Sequence, residues 1–466
     1  VKSESTCEGV ELDDLPFVLD RDGSTLLSVQ IADQLRQAAT GGLLRTGDRL
    51  PSTRGLARRL GVSRTVVAVA YDQLHAEGWI EGHQGSGTYL TTAPAATPVH
   101  GAVLPGADSA PHLFDLAPGA PCTQAIDPAA WRRAWRAAAD HSPLVRKHRA
   151  GEPEFRQAVL HHLLRHRGIG TDTGAVLLAT AGASSAVGEL AVAALRPGDV
   201  VAMEDPGYQR AAGAFEAAGV EVLPVPVDEN GLRVDCLPTG IHAVYCTPAH
   251  QFPLGARLPA VRRVALIEHA RRCGILVIED DYDGELRYDT APLPLLATMA
   301  PDVVVHLGTT SKILSPSLGI GWLLAPPDIA EAVLALRERT GTGPSPAGQR
   351  VLVALADHGD LARHLRRLRR RLPPRRALVV AQLRRHGLGV VGDDAGSHVV
   401  ALLDSAETEQ RVIANGQKRG VALDGLARHH RHDVRDHFGV ALGYAALPWS
   451  DLVAAVPIAA ECLADF

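Results

Sequence analysis

The chain has 466 residues, too many for one ordinary domain, so two or three are expected. It is 46% hydrophobic but only 4% aromatic, so a large core is available and Leu, Val and Ala must fill it. A net charge of −5 excludes a uniformly basic nucleic-acid binder, no apolar run reaches the ~18 residues of a membrane span, and the first residues carry no signal-peptide core.

Residues 1–26 are polar and acidic and read as a loose N-terminal arm. Leu27 to Ala39 has helical apolar spacing (Leu27, Ile31, Leu35, Ala38) and is ended by Gly41 and Gly42. Residues 51–60 read as a second helix with Ser52 placed to cap it, and Gly61-Val62 is the turn. Ser63 caps a third helix running to about Gly78, with Val66, Val69, Ala70 and Leu74 expected to face inward. Trp79 to Leu90 alternates and then turns through glycines, the pattern of a hairpin. Between Arg45 and Arg64 there are six arginines and one acid, Asp48, a local basic stripe of the kind that meets DNA.

Residues 91–111 are rich in Ala, Pro, Gly and Thr without a period and read as a flexible linker. From 112 to 466 short apolar runs at 175–179, 200–203, 220–223, 243–246, 275–278 and 303–306 alternate with helix-length segments. That alternation predicts a mostly parallel sheet with helices on both faces. The chain is therefore an α/β multidomain protein.

Two sets of motifs carry the functional reading. Residues 47–66 read GDRLPSTRGLARRLGVSRTV, followed by AYDQL at 70–74 and AEGWI at 76–80. A helix, a tight turn and a second helix would place Ser63, Arg64 and Thr65 at the mouth of a major groove, where an arginine fork matches the guanine edge. Farther on, TAGASSA at 180–186 is a glycine turn opening a helix, whose free N–H groups suit an anion. EDPGY at 204–208, TPAHQFPLG at 247–255, IEDDYDGELRY at 278–288 and TTSK at 309–312 follow in order. A lysine in a desolvated pocket is partly deprotonated and can condense with an aldehyde.

Residues 27–90 resemble the GntR winged-helix family, and 112–466 resemble fold-type I aminotransferases that use pyridoxal 5'-phosphate (PLP), which implies a small C-terminal α+β subdomain after the sheet. The fusion is similar to the MocR/GabR branch of GntR regulators. The resemblance implies a winged helix-turn-helix that binds duplex DNA through Ser52, Arg54, Ser63, Arg64, Thr65 and Gly85 at the wing tip, with His83 standing where the family has an arginine. It implies PLP held by Lys312 as the condensing amine and Asp280 at the ring nitrogen. Tyr282 falls at the ring hydroxyl and Tyr208 against the ring. Gly182, Ala183, Ser184 and Thr309 fall at the phosphate. Arg210 and His250 are the candidate effector contacts, and a weaker echo at 151–156 (GEPEFR) marks entry into the large domain. The family implies a cytoplasmic homodimer, often head to tail, that answers to PLP or to an amino compound, without a catalytic set of its own.

Three departures bear on that reading. The phosphate arginine expected seven residues past the lysine is Gly319; the carboxylate arginine expected before Leu442-Gly443-Tyr444 falls at Phe438; and the tyrosine expected before Gly151 falls near Arg146. Each missing charge-assisted hydrogen bond costs about 1.5–3 kcal/mol; Arg146, Lys147 and Arg149 are the nearby candidates to restore charge at the phosphate. Two other functions compete: an aminotransferase with an appended DNA module, and a regulator of this architecture that no longer binds PLP. The stretch RHHRHDVRDH at 428–437 reads as an exposed loop, because its arginines would repel a metal ion. Six cysteines, at 7, 122, 236, 246, 273 and 462, form no Cys-x-x-Cys pair and read as reduced thiols. Residues 361–376 carry eight arginines and no acid; they read as a solvated helix face, with a second DNA-contacting surface as the alternative, and this helix is expected to stop at Pro373-Pro374.

Overall fold

The computed structural model describes residues 17–83, 86–92, 114–170, 174–288, 292–431 and 435–465. The chain divides into two compact units, residues 1–108 and 109–466.

The first unit packs α1 (Leu27–Thr40), α2 (Thr53–Leu60) and α3 (Arg64–Ala76) against a small sheet of β1 (Arg49–Leu50), β2 (Ile80–His83) and β3 (Gly87–Leu90) in the order β1-β3-β2. Ser52 accepts a hydrogen bond from Gly55 N at 3.1 Å and Ser63 from Val66 N at 3.4 Å, so both helices start where an N-cap oxygen meets a free amide. Gly61 ends α2 in the left-handed region at φ 63°, open to glycine at little cost. Ile31, Leu35, Leu56, Val67, Ala70, Tyr71 and Leu74 form the core. Two expectations are corrected. Val69 is 49% exposed rather than inward, because Val67 and Tyr71 take the buried stripe of α3, and Val66 is only partly buried. The described part of the arm is fastened down: Val18 N and O pair with the Gln34 amide at 2.9 and 2.6 Å, and Arg21 donates to Leu60 O and Gly61 O at the end of α2.

The second unit begins with β4 (Phe114–Asp115), α4 (Pro128–Ala139) and α5 (Pro153–Arg167). An alternation of strands and helices follows: β5 (Val176–Thr180), α6 (Ala183–Ala193), β6 (Val200–Asp205), α7 (Gln209–Ala217), β7 (Glu221–Asp228), β8 (Gly231–Leu232), β9 (Ala243–Cys246), α8 (Ala260–Cys273), β10 (Leu276–Asp281), α9 (Leu296–Met299), β11 (Val304–Thr309) and β12 (Gly321–Ala325). These strands form one sheet in the order β5-β12-β11-β10-β9-β6-β7-β8. Six run parallel; β12 and β8 run against their neighbours. One face packs on α6, α7 and α10 (Pro327–Thr340) through Val187, Leu190, Phe215 and Val333. The other packs on α5, α8, α11 (Pro346–Asp357) and α12 (Asp360–Arg385) through Phe155, Leu266, Leu352 and Leu368.

The α12 helix runs through Pro373-Pro374 rather than stopping there. A proline inside a helix costs about 3 kcal/mol. Here Leu368, Leu372, Val379, Val380 and Leu383 are buried along one stripe, and Arg375 donates to the carbonyls of Tyr444 and Leu447, so tertiary packing outweighs the local penalty. The C-terminal part adds an antiparallel sheet of β13 (Val390–Val391), β14 (His398–Leu403), β16 (Asp424–Gly425) and β17 (Phe438–Gly443) in the order β13-β14-β17-β16. It is covered by α13 (Ala406–Lys418) and α14 (Trp449–Ala464), while β15 (Val421–Ala422) pairs with β4. Among the described residues no helix is long and apolar enough to cross a membrane.

Candidate cofactor pocket and DNA-reading helix

The carboxyl ends of adjacent parallel strands are where an open α/β sheet gathers functional groups. Here β5 ends at Thr180 before the Gly182 turn, β6 ends at Asp205 before Tyr208, β9 leads to Thr247 and His250, β10 carries Asp280 and runs into Tyr282, and β11 carries Thr309 and runs into Lys312. Motifs separated by more than a hundred residues thus share one sheet edge.

Lys312 Nζ donates to Gly119 O at 2.6 Å. Burial lowers its pKa, with Arg210 adding to the effect, while Asp283 and Asp280 oppose it. Asp280 is buried beside it: the Tyr245 hydroxyl donates to Oδ2, and Oδ1 has no hydrogen-bond partner among the described residues. Burial pushes the Asp280 carboxyl up to about 6; Tyr245 pulls it back and Asp281 adds to the rise. A buried acceptor without a donor is costly, and a protonated ring nitrogen is the donor that would satisfy it.

At the end of β5, Gly182 opens α6 with no side-chain cap, which leaves the first amides of the helix free for an anion. Around them, Thr309 Oγ1 lies 3.1 Å from Ser311 N and 3.0 Å from Ser311 Oγ, and Ser184 Oγ lies 2.9 Å from the Tyr208 hydroxyl. A Cβ on Gly321 would come within 3.0 Å of Gly182 Cα, so this glycine lets β12 approach the turn. These hydroxyls and amides fit the phosphate of PLP, as Asp280 and Lys312 fit its ring and aldehyde. Gly319, at the place of the family's phosphate arginine, adopts φ 55° with open space where a Cβ would sit.

The remaining sequence candidates fall in different places. Tyr208 stands at the start of α7 and meets the Phe252 ring edge-on at 6.0 Å. Tyr282 OH lies 3.0 Å from His250 Nδ1, and the same nitrogen lies 3.0 Å from Asp283 Oδ2. His250 is only 2% exposed and braces Tyr282 through Nδ1, while its Nε2 has no hydrogen-bond partner among the described residues. Arg210 is exposed, in the first turn of α7.

Register corrects the position assigned to the carboxylate arginine. Phe438 pairs with Leu403, and Ala441 pairs with Val400. Side chains alternate faces along a strand, so Phe438 lies on the opposite face from Ala441, Val400 and His398. His398 is on the pocket side, 5.2 Å from the His250 ring and 5.5 Å from Phe252. The pocket side of β17 therefore offers alanine, with no charge, and Phe438 is off that face.

The histidine-rich stretch is also not a simple exposed loop. His429 is buried against Phe252 at 5.1 Å, and its carbonyl accepts from Gly207 N at 2.9 Å and Gln209 Nε2 at 2.6 Å. Arg431 N donates to Asp205 Oδ1 at 3.0 Å. The segment thus clasps the C-terminal part to the loop that carries Tyr208; residues 432–434 lie outside the described residues. Sequence reasoning missed Tyr245, Gly119, Ser311 and Asp283. Gly119 and Lys312 lie 193 residues apart, and no local pattern links them.

In the first unit, Ser52, Arg54, Ser63, Arg64 and Thr65 are all exposed, and Arg64 Nε donates to Thr53 Oγ1 at 3.3 Å, bracing it across the turn. Val69 joins Thr65 on the same exposed face one turn on. His83 stacks edge-on to Tyr89 at 5.3 Å; Gly85 lies outside the described residues.

Comparison with known proteins agrees with both halves. Residues 27–90 match the model for bacterial regulatory proteins of the gntR family, and residues 111–426 match that for aminotransferase class I and II. The chain is 34% identical to the pyridoxine biosynthesis transcriptional regulator PdxR of Corynebacterium glutamicum, covering 93% of this chain and 95% of that one. It is 32% identical to the probable rhizopine catabolism regulatory protein MocR of Rhizobium meliloti (92% of each), and 34% identical to the transcriptional regulator TauR of Rhodobacter capsulatus (89% of this chain, 94% of that one). Among solved structures, the kynurenine aminotransferase of Pyrococcus horikoshii superposes with a TM-score of 0.69 at 24% identity, over 76% of this chain and 91% of that one, a likeness of fold alone. With both family models matched in order and such relatives along nearly its whole length, the chain belongs to the MocR-type branch of the GntR regulators, a winged helix-turn-helix joined to a fold-type I aminotransferase-like domain.

Proposed function

We propose that this protein is a transcription regulator that binds PLP through Lys312 and binds duplex DNA through the N-terminus of α3, each event biasing the other. The observation that carries the reading is a half-buried amine near a buried, half-satisfied carboxylate, Lys312 with Asp280, in a chain that also exposes Arg64 and Thr65 at a helix N-terminus. When bound, PLP would supply an aldehyde that condenses with amines and a ring that withdraws electrons. Asp280 would hold the proton on the ring nitrogen, Tyr282 would meet the ring hydroxyl, and Gly182, Ala183, Ser184 and Thr309 would hold the phosphate. Arg64 and Thr65 would reach base edges, Ser52, Ser63 and Arg54 would meet phosphates, and exposed Val69 suits a thymine methyl.

The absence of charge on the pocket side of β17 favours a sensor over an aminotransferase, because an amino-acid substrate would have no guanidinium there for its carboxylate. The preferred effector is PLP itself, or an amine adduct gripped from the rim by Arg210. Two copies acting together match the pairing of half-sites by winged-helix regulators. The test is spectroscopic. PLP added to the purified protein produces a visible absorbance band that borohydride fixes covalently to the chain, and Lys312→Ala abolishes both; a colourless wild-type protein at saturating PLP would overturn the reading. Steady turnover of an amino donor with a keto acid would establish the aminotransferase instead.

A further inference from the structure

The segment before α1 is fastened by a matched set of amide bonds. Gln30 and Gln34 stand one turn apart on α1, about 6 Å along its axis. Alternate residues of an extended chain, such as Val18 and Asp20, recur about every 6.7 Å. The two spacings agree, so each glutamine pairs with one backbone residue at both its N–H and its carbonyl. Val18 N and O meet the Gln34 amide at 2.9 and 2.6 Å, and Asp20 N and O meet the Gln30 amide at 2.9 and 2.8 Å. Phe17 and Leu19, between them in sequence parity, pack on the core of the first unit, and the Arg59 guanidinium lies over the Phe17 ring at 5.8 Å.

This fastening delivers Arg21 to the end of α2. A helix leaves its last carbonyls without intrahelical donors, and its C-terminus favours a cation. Arg21 Nη2 donates to Leu60 O at 2.9 Å and to Gly61 O at 3.2 Å. The fit is close: a Cβ on Gly61 would lie 3.3 Å from that nitrogen. Just beyond, Asp20 Oδ1 accepts from Asp22 N and Gly23 N and turns the chain away. Gly61 and Val62 are the turn between α2 and α3, and its geometry sets where Ser63, Arg64 and Thr65 point. Arg64 Nε ties α3 back to Thr53 of α2 at 3.3 Å. The turn is therefore held twice, once from within the helix pair and once by a residue outside it.

We propose that residues 17–25 are a working part of the DNA reader and that Arg21 is a positioning residue for base recognition, fixing the α2–α3 turn and so the aim of the α3 N-terminus. The proposal rests on the reading of residues 27–90 as a DNA-binding domain. Arg21 acts through the turn and makes no phosphate contact of its own. It therefore contributes to the reading of base edges, and leaves the sequence-independent, salt-dependent part of the affinity to other residues.

The experiment uses the full-length chain, Arg21→Ala, Arg21→Lys, Gln34→Ala and the double variant Arg21→Ala/Gln34→Ala, all compared below their melting transitions. Affinities are measured across a range of salt for the duplex footprinted upstream of the protein's own gene and for a scrambled duplex of equal length. Arg21→Ala is expected to lower affinity for the footprinted duplex on the order of tenfold, the size of one lost base contact. Affinity for the scrambled duplex and the slope of log affinity against log salt stay as in the wild type. Arg21→Lys keeps a cation that can bond the carbonyls and restores most of the preference. Gln34→Ala frees the arm at Val18 and loses preference as well, and adding Arg21→Ala to it costs little more, because the two residues act as one unit. An unchanged ratio of the two affinities in Arg21→Ala would overturn the proposal. So would an equal drop on both duplexes with a salt slope smaller by ~0.9, the mark of a direct phosphate contact. Should Arg21→Ala fail to fold, the same ratio in Gln34→Ala decides. A wild type without preference for the footprinted duplex, or a preference indifferent to Arg64→Ala, would instead defeat the winged-helix reading.

Discussion

Asp280 is the residue whose electrostatics best report on the pocket. Its carboxyl rises to about 6 through burial, above the ~3.9 of an exposed aspartate. A raised carboxyl holds its proton more tightly in the folded state, so its stabilising contribution is full below about 4 and is lost as pH climbs through about 6. A protonated pyridine nitrogen beside Oδ1 reverses this, because the ionised form is then the one with a partner. We therefore expect PLP affinity, followed by absorbance titration, to weaken as pH falls below about 6. Because phosphate also titrates near 6, Asp280→Asn is the control: it binds PLP more weakly at about pH 8 and loses the part of the pH dependence that belongs to the carboxyl. A variant with the wild-type profile would remove Asp280 from the role. Gly319 gives a second residue-scale prediction. Gly319→Arg adds a charge-assisted bond of about 1.5–3 kcal/mol to the phosphate cradle, while the about 1–2 kcal/mol cost of a side chain at left-handed φ falls on folding in the free and bound protein alike. The expectation is PLP binding tighter by about tenfold or more, with a lower melting temperature; unchanged or weaker binding would mean that position 319 does not reach the phosphate.

At the scale of elements, the proposed DNA contact falls on α3 and its cap. Ser63→Ala removes the bond to Val66 N, with an expected cost of about 1 kcal/mol in unfolding free energy by denaturant titration and a loss of DNA affinity beyond that of a distant cap such as Ser405→Ala, whose bond to Thr408 N caps α13. Equal effects on DNA binding would make Ser63 merely structural. Elements were legible in the sequence where local signals were strong. Caps at Ser52 and Ser63, the glycine at 61 and the six parallel strand cores fell close to where composition and periodicity put them. The failures came where packing outvoted local preference. The α12 helix continues through two prolines because its stripe is buried, and Val69 lost its core position to Val67 and Tyr71. The same holds for the site. Asp280, Lys312 and Gly182 could be read from motifs, whereas Tyr245 and Gly119 meet them only through strand order and a loop from a distant part of the chain. The face on which Phe438 lies depends on the pairing of β17 with β14, which no count along one strand can supply.

For the whole molecule the claim is coupling. The two proposed sites fall in different compact units, and any influence of one on the other is a difference in affinity that must be reciprocal. Couplings of this kind are typically about 1–3 kcal/mol, or roughly 5- to 150-fold in affinity. The direct measurement is the affinity of the full-length protein for its operator duplex, by fluorescence anisotropy, with and without saturating PLP, in wild type and in Lys312→Ala. The account predicts at least a roughly fivefold shift with PLP in the wild type and none in the variant. An affinity indifferent to PLP in the wild type, or shifted equally in both proteins, would contradict it.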